Sequence, residues 1–154
     1  MLSDDERHEI EEEIRHCARR EGASIEALKA VQRHRGWVSD EGIQDIADFI
    51  GMTAEELDSV ATFYNLIYRK PVGRHVILIC NSVSCWVMGY EPLLDHLMKK
   101  LGIRLGETTQ DDRFTLLPVP CLGICNEAPA LMIDGDLHTN LEPGKIERVL
   151  EGYV

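Results

Sequence analysis

The sequence predicts an α/β fold preceded by a helical bundle, and three observations lead to this class. The first 70 of the 154 residues carry repeated helix start and stop signals, with apolar residues at helical spacing. Pro71-Val72-Gly73 then marks a boundary. Beyond it, short β-branched runs alternate with helical patterns, which is typical of a sheet with helices packed on it. We therefore expect two domains, residues 1–70 and residues 71–154.

Four helices are predicted in the first domain. Ser3 with Glu6, and Thr53 with Glu56, have the spacing of a capping box, in which both side chains bond to free N–H groups at the helix start. Glycine is expected at helix ends, because it adopts the left-handed conformation at little cost. The predicted helices begin near Ser3, Ser24, Ser39 and Thr53, and the first three end near Gly22, Gly36 and Gly51.

The second domain is predicted to alternate strands with helices. Residues 75–79 are almost all apolar, as expected for a strand buried on both faces. Pro92 is the predicted start of a helix that ends before Gly102. The remaining predicted elements are strands at 114–119, 130–133 and 137–139, a hairpin turn at Asp134-Gly135, and a last helix from Pro143. The resulting order, β-α-β-β-β-α, is the connectivity of a thioredoxin-like sheet, although connectivity does not fix function.

Composition excludes several classes of partner. The formal net charge is −11 and the isoelectric point is near 4.9, so nucleic acid and anionic lipid would be repelled. A protein partner with a basic docking face is favoured. No apolar run reaches the roughly 20 residues of a membrane span, and the N-terminus has no secretory signal pattern. We expect a cytoplasmic location, where cysteines indicate metal or redox chemistry before disulfides.

Four of the five cysteines form two close pairs, each just past a predicted strand. Cys80 and Cys85 follow the first strand, and Cys121 and Cys125 follow the second. If these strands are parallel neighbours, both loops emerge at the same edge of the sheet and the four sulfurs can converge. Gly123 would let the backbone come close to a bound group, and the helix at Pro92 would add positive potential behind Cys85.

Three kinds of site fit this pattern of cysteines. A [2Fe-2S] cluster takes four thiolates, a structural zinc ion also binds cysteine pairs of similar spacing, and a dithiol redox centre is the third possibility. The Cys-x-x-Cys motif of thioredoxin-type redox centres is absent. The fifth cysteine, Cys17, shares a predicted helix face with Ile10 and Ile14, so we expect it to be a core residue.

Three segments resemble a known family. They are Cys80 to Cys85 with Gly89 following, Leu117 to Pro129, and Ala61-Thr62-Phe63-Tyr64. Together they resemble the E subunits of bacterial NADH:quinone oxidoreductase, the small [2Fe-2S] subunit family of complex I. The resemblance covers nearly the whole chain, helical extension included, and all four cysteines of the family pattern are present.

The resemblance implies a thioredoxin-like [2Fe-2S] ferredoxin domain in which Cys80, Cys85, Cys121 and Cys125 bind one cluster. It implies an electron-transfer subunit of an oxidoreductase, whose cluster exchanges single electrons with FMN as a side acceptor. FMN and NADH are held by a larger flavoprotein partner, and the chain has no substrate-binding catalytic site of its own. The implied location is the cytoplasmic peripheral arm of a membrane complex, without insertion into the membrane.

Two other interpretations stay open. Diaphorase modules of NAD-linked hydrogenases and formate dehydrogenases use similar subunits, so the chain could serve the same role there. A zinc-bound scaffold held by the four cysteines would involve no electron transfer. We also expect Phe63 and Tyr64 to contribute both to docking and to their own core, and the Ala128–Pro129 bond to be cis beside the second cysteine loop.

Overall fold

The computed structural model describes residues 1–154, which separate into two compact units. The first unit is Met1–Pro71 and the second is Val72–Val154. The break lies one residue beyond the boundary expected from the sequence. None of the helices combines the length and the apolar character needed to cross a bilayer.

The first unit contains four α-helices. Both predicted capping boxes are present, at Ser3 with Glu6 and at Thr53 with Glu56. Ser39 also caps a helix, because its side chain accepts a hydrogen bond from the backbone N–H of Gly42 in the first turn of that helix. The helices are Asp4–Arg15 (α1), Ser24–Arg35 (α2), Asp40–Ile50 (α3) and Ala54–Phe63 (α4).

Three predictions for this unit are wrong. α1 ends at Arg15, well before Gly22. The backbone N–H groups of His16 and Cys17 donate to the carbonyls three residues earlier, which tightens the last turn. A separate 3₁₀ helix, Arg20–Ala23, follows, and Ser24 is the first residue of α2 instead of its cap. Cys17 therefore lies outside α1 and is only partly buried, so it is not a residue of the helical core face.

The first unit has a core of aliphatic side chains and an ion pair whose carboxylate is buried. Glu6, which is 2% exposed, accepts hydrogen bonds from Arg35 Nε at 2.6 Å and Arg35 Nη2 at 2.7 Å. Bonding to Arg35 outweighs the effect of burial and lowers the pKa of Glu6 to about 2. The core side chains with no more than 1% exposure include Ile10, Leu28, Ile46, Ile50 and Leu57.

The second unit contains one four-stranded sheet in the order β2-β1-β3-β4. Its strands are His75–Cys80 (β1), Phe114–Val119 (β2), Leu131–Ile133 (β3) and Asp136–His138 (β4). β1 and β2 are parallel neighbours, as predicted, and β3 is antiparallel to both β1 and β4. A parallel pair joined by a helical crossover, with an antiparallel hairpin beside it, is the thioredoxin-like arrangement that the element order predicts.

Three α-helices belong to this unit, Val83–Val87 (α5), Tyr90–Leu101 (α6) and Pro143–Glu151 (α7), together with a short 3₁₀ helix, Cys125–Glu127. The sequence does not predict α5, which lies inside the first cysteine loop. It also predicts the wrong start for α6, which begins two residues before Pro92 with Gly89 as its cap. Proline is tolerated inside this first turn because the N–H groups there have no partner within the helix. The Ala128–Pro129 bond is cis, as expected.

Replacing Glu6 with glutamine is expected to destabilise the helical unit by up to about 3 kcal/mol at neutral pH, as the lowered pKa of the carboxyl implies. The pKa of Glu6 is lower in the folded state than the ordinary value of 4.5, so its stabilisation is present above that pH. It is lost as the pH falls to about 2. Urea unfolding followed by helical circular dichroism at pH 7 and pH 3 measures both effects.

Glu9→Gln is the matched control for this prediction. Glu9 lies on the same helix and pairs with Arg33 and His34 at the surface, where solvent screening leaves a small net contribution. If Glu6→Gln lowers the free energy of unfolding no more than Glu9→Gln does, the Glu6–Arg35 pair is not a major contributor to the stability of the helical unit.

Candidate metal centre

The two cysteine pairs lie at one edge of the sheet. Cys80 is the last residue of β1, Cys85 is in α5, and Cys121 and Cys125 are in the segment after β2. The pairing of the two strands continues one residue past Cys80, where the backbone N–H of Asn81 donates to the carbonyl of Val119 at 2.8 Å. The two cysteine segments therefore leave the sheet side by side.

The first pair is buried and its members are in contact. Cys80 is 3% exposed and Cys85 is 2% exposed, and each thiol influences the pKa of the other. Burial raises the pKa of the Cys85 thiol, and the neighbouring Cys80 raises it further. A hydrogen bond from the backbone N–H of Ala130 lowers this pKa, but the two raising effects are larger.

The Cys80 sulfur is surrounded by hydrogen-bond donors. Burial alone would raise the pKa of its thiol, but bonds from the Ser82 hydroxyl, the Leu122 N–H and the Ser82 N–H outweigh it, and the pKa is lowered. Cys80 is thus the member of the pair that more readily becomes a thiolate. The Leu122 N–H comes from the loop between Cys121 and Cys125, so it links the second cysteine segment directly to the first pair.

The second pair is exposed to solvent. Cys121 Sγ and Cys125 Sγ are 3.9 Å apart, and the Gly123 N–H donates to Cys121 Sγ at 3.3 Å. Gly123 has a φ of +80°, which glycine adopts at little cost, and a Cβ there would meet no atom within 4 Å. The glycine is therefore required in this structure for its backbone angle, which forms the turn between the two cysteines.

The structure brings the predicted residues together as two pairs. No group of three or more His, Cys, Asp or Glu side chains is arranged around a site for one metal ion. Backbone N–H groups directed at the sulfurs come from Ser82, Leu122, Gly123 and Ala130. Four soft thiol ligands surrounded by such donors fit, in number and chemistry, an anionic [2Fe-2S] cluster.

Two features of the site were not found in the sequence. The first is α5, the short helix that contains Cys85 and precedes the helix around Pro92. Its one sequence signal is Ser82, a residue type common at helix starts. The second is the α5 patch, defined as four large apolar side chains that are 57% to 75% exposed beside the buried Cys85: Val83, Trp86, Val87 and Met88.

The second cysteine segment returns to the sheet through Pro129 and Ala130. The Cys80 N–H donates to the Ala130 carbonyl at 3.1 Å, and the Ala130 N–H is directed at the Cys85 sulfur. The residue after the cis proline therefore contacts both cysteines of the buried pair. This agrees with the expectation that Pro129 lies beside the site.

Comparisons with known proteins define the class of this chain. Residues 10–154 match the family model of the thioredoxin-like [2Fe-2S] ferredoxins. The E subunit of the NADH-quinone oxidoreductase of Pseudomonas aeruginosa is 51% identical over 154 residues, which is 100% of this chain and 93% of the relative. The E subunit of the Escherichia coli K12 enzyme is 52% identical over 152 residues, which is 99% of this chain and 92% of the relative. The chain belongs to the thioredoxin-like [2Fe-2S] ferredoxin family, in the group of NADH-quinone oxidoreductase E subunits.

A solved structure shares the fold. The NAD⁺-reducing [NiFe]-hydrogenase in its H₂-reduced state contains a chain that matches with a TM-score of 0.69 and 24% sequence identity. The match covers 82% of this chain, which spans 22% of the hydrogenase chain. At this identity the match supports the fold alone.

In metal-free protein, iodoacetamide is expected to modify Cys121 and Cys125 before Cys80 and Cys85. Access to the sulfur limits alkylation when a thiol is buried, even one with a lowered pKa such as Cys80. Mass spectrometry of peptides at successive times measures the order. Partly buried Cys17 is an internal reference, and early modification of Cys85 would contradict the burial of the first pair.

Proposed function

We propose that this chain is the [2Fe-2S] electron-transfer subunit of an NADH-quinone oxidoreductase, with Cys80, Cys85, Cys121 and Cys125 as the cluster ligands. The observation that carries the ligand assignment is the parallel pairing of β1 with β2 up to and past Cys80, where the Asn81 N–H donates to the Val119 carbonyl at 2.8 Å. It joins the segment of the second pair to the first pair at the same edge of the sheet.

The residues of this chain would hold the cluster and stabilise its charge. Cys80 and Cys85 would bind it from the buried side, and Cys121 and Cys125 from the exposed loop. When bound, the cluster takes up and releases single electrons. The formal charge of such a cluster with its thiolates is about −2 when oxidised and about −3 when reduced, so the N–H groups directed at the sulfurs favour its binding.

The chain would act as part of an enzyme, with FMN and NADH bound by a flavoprotein partner. No strand is followed by a glycine-rich nucleotide-binding fingerprint, which supports the assignment of both cofactors to the partner. The cluster would exchange single electrons with the FMN of that partner. We place this assembly in the cytoplasmic peripheral arm of the membrane complex.

The same role in an NAD-linked hydrogenase or formate dehydrogenase is the second candidate. The fold shared with a chain of the NAD⁺-reducing hydrogenase is compatible with this role. The identities of 51% and 52% to the E subunits favour the quinone-linked enzyme over the hydrogenase, at 24%. The identity of the proteins encoded by neighbouring genes distinguishes the two hosts.

Exposed apolar side chains support docking on the flavoprotein. In the helical unit, the Phe63 patch consists of Phe63, Tyr64 and Leu66, which are 80%, 42% and 44% exposed. The expectation that Phe63 also packs into its own core is wrong; its ring packs edge to face on Tyr64, with centroids 5.3 Å apart. Such patches are typical of interaction sites, and the net charge of −11 favours a basic rim on the partner.

We also propose that residues 1–70 and 71–154 are separate domains with separate tasks. The first would contribute mainly to docking and the second would hold the cluster. The α5 patch would contribute a second contact, and a partner bound there would lie close to the ligand Cys85.

Cys80→Ser and Cys125→Ser are each expected to abolish or grossly reduce cluster retention, because a serine alkoxide is a harder and less readily formed ligand than a thiolate. Iron and sulfide per chain, and electron paramagnetic resonance of the anaerobic, dithionite-reduced protein, measure the loss. The unmodified protein should be red-brown, whereas a zinc scaffold would be colourless.

Cys17→Ser is the control, since Cys17 lies in the other unit and should leave iron and sulfide unchanged. Unchanged iron and sulfide in Cys80→Ser or Cys125→Ser would refute the ligand assignment.

Phe63→Ser is expected to weaken binding of the chain to the flavoprotein by about tenfold or more, if the patch is a buried anchor of the interface. Deleting residues 1–70 should weaken co-purification further while the remaining domain still binds a cluster. Titration of the purified flavoprotein with each variant gives the dissociation constants.

Leu137→Ser is the matched control, because Leu137 is also a large apolar side chain, 46% exposed, on the β3–β4 hairpin. Equal weakening by Phe63→Ser and Leu137→Ser would argue against a specific role of the Phe63 patch. Loss of the cluster with retained binding after the deletion would reverse the proposed division of tasks.

A further inference from the structure

Ser82 lies between the two cysteines of the buried pair, at the N-cap position of α5. A serine in this position ordinarily accepts a hydrogen bond from a backbone N–H of the first helical turn. Ser82 has the extended backbone of a capping residue, with φ −87° and ψ 163°, but its side chain makes no capping hydrogen bond. Its hydroxyl is therefore free for a different partner.

The hydroxyl bonds to the sulfurs instead. In this structure the Cys80 thiol donates to Ser82 Oγ at 3.6 Å, and the Ser82 hydroxyl also lowers the pKa of the Cys85 thiol. Toward a neutral thiol the hydroxyl oxygen can accept, but toward a thiolate, which has no proton, the hydroxyl must donate. Cysteines that ligate a metal are thiolates, so Ser82 is a donor in the cluster-loaded protein.

The Ser82 hydroxyl differs from the other donors at these two sulfurs. Leu122 and Ala130 use backbone N–H groups, which the path of the chain determines. Ser82 adds a side-chain donor, which can be removed by one substitution while the backbone donors remain. Its removal therefore tests the effect of a single hydrogen bond.

We propose that the Ser82 hydroxyl positions the sulfurs of Cys80 and Cys85 and raises the reduction potential of the cluster that they hold. This inference rests on the proposed function. One electron from the partner flavin, or from dithionite in the test, reduces one iron from ferric to ferrous and adds one negative charge. A donor to a ligand sulfur stabilises the more negative reduced state more strongly than the oxidised state, because hydrogen bonds strengthen as the acceptor gains charge.

The Ser82→Ala variant of the full-length, cluster-loaded chain is the direct test. Its equilibrium constant for one-electron reduction should fall by about threefold to tenfold, and a tenfold change corresponds to about 59 mV for one electron. The potential is read from the reduced-cluster signal in electron paramagnetic resonance during an anaerobic dithionite titration. Iron and sulfide contents are measured on the same samples and should match those of the unmodified chain.

Two variants separate the hydrogen bond from a general disturbance of the loop. Ser82→Thr keeps a hydroxyl and should keep the potential of the unmodified chain. Ser84→Ala removes a hydroxyl from the same helix that is not among the hydrogen-bond partners of Cys80 or Cys85, and should also leave the potential unchanged.

The outcomes distinguish this inference from the proposed function. An unmodified chain without iron, sulfide or a [2Fe-2S] signal would refute the proposed function itself. A loaded Ser82→Ala chain with an unchanged potential, or one shifted no more than Ser84→Ala, would overturn the role of Ser82 alone. If Ser82→Ala fails to retain the cluster, an unchanged potential in Ser82→Thr supports the role and a lowered potential in that variant overturns it.

Discussion

The parallel pairing of β1 and β2 is the constraint on which the site depends. Parallel strands end at the same edge of a sheet, so the segments after them emerge together although they are far apart in sequence. The register places Cys80 opposite Val119, and a slip of one residue would turn the side chains of one strand to the other face. Parallel strands also need a crossover, and its first helix, α5, carries Cys85.

Much of this architecture follows from local sequence signals. The capping boxes and the strands are predicted because caps and β-branched runs act over a few residues. The parallel pair is expected from the order of elements, in which a helical crossover joins the two strands. The end of α1 at Arg15 is not predicted, because no glycine or proline lies there. The start of α6 is placed too late, because Pro92 fits the first helical position as well as the later position in the first turn that it occupies behind the cap Gly89. α5, with five residues, is too short for its apolar spacing to indicate a helix.

The sequence predicts which residues form the site, but not their burial or the hydrogen-bond donors around their sulfurs. The paired spacing of the cysteines and their positions after two strands indicate the candidate ligands. The burial of one pair and exposure of the other depend on contacts between distant segments, such as Leu122 with Cys80 and Ala130 with Cys85. Most donors to the sulfurs are backbone N–H groups, which carry no side-chain signal in a sequence.

Each of the two compact units has a hydrophobic interior of its own. The core cluster of the first unit is drawn from residues 2–67, whereas Ile77, Leu97 and Leu116 are among the fully buried side chains of the second. A chain with two interiors can melt in two cooperative steps, and a single-transition fit then yields a van't Hoff enthalpy below the calorimetric enthalpy. When the two interiors unfold in separate steps, one melting temperature describes a unit of this protein and not the whole chain.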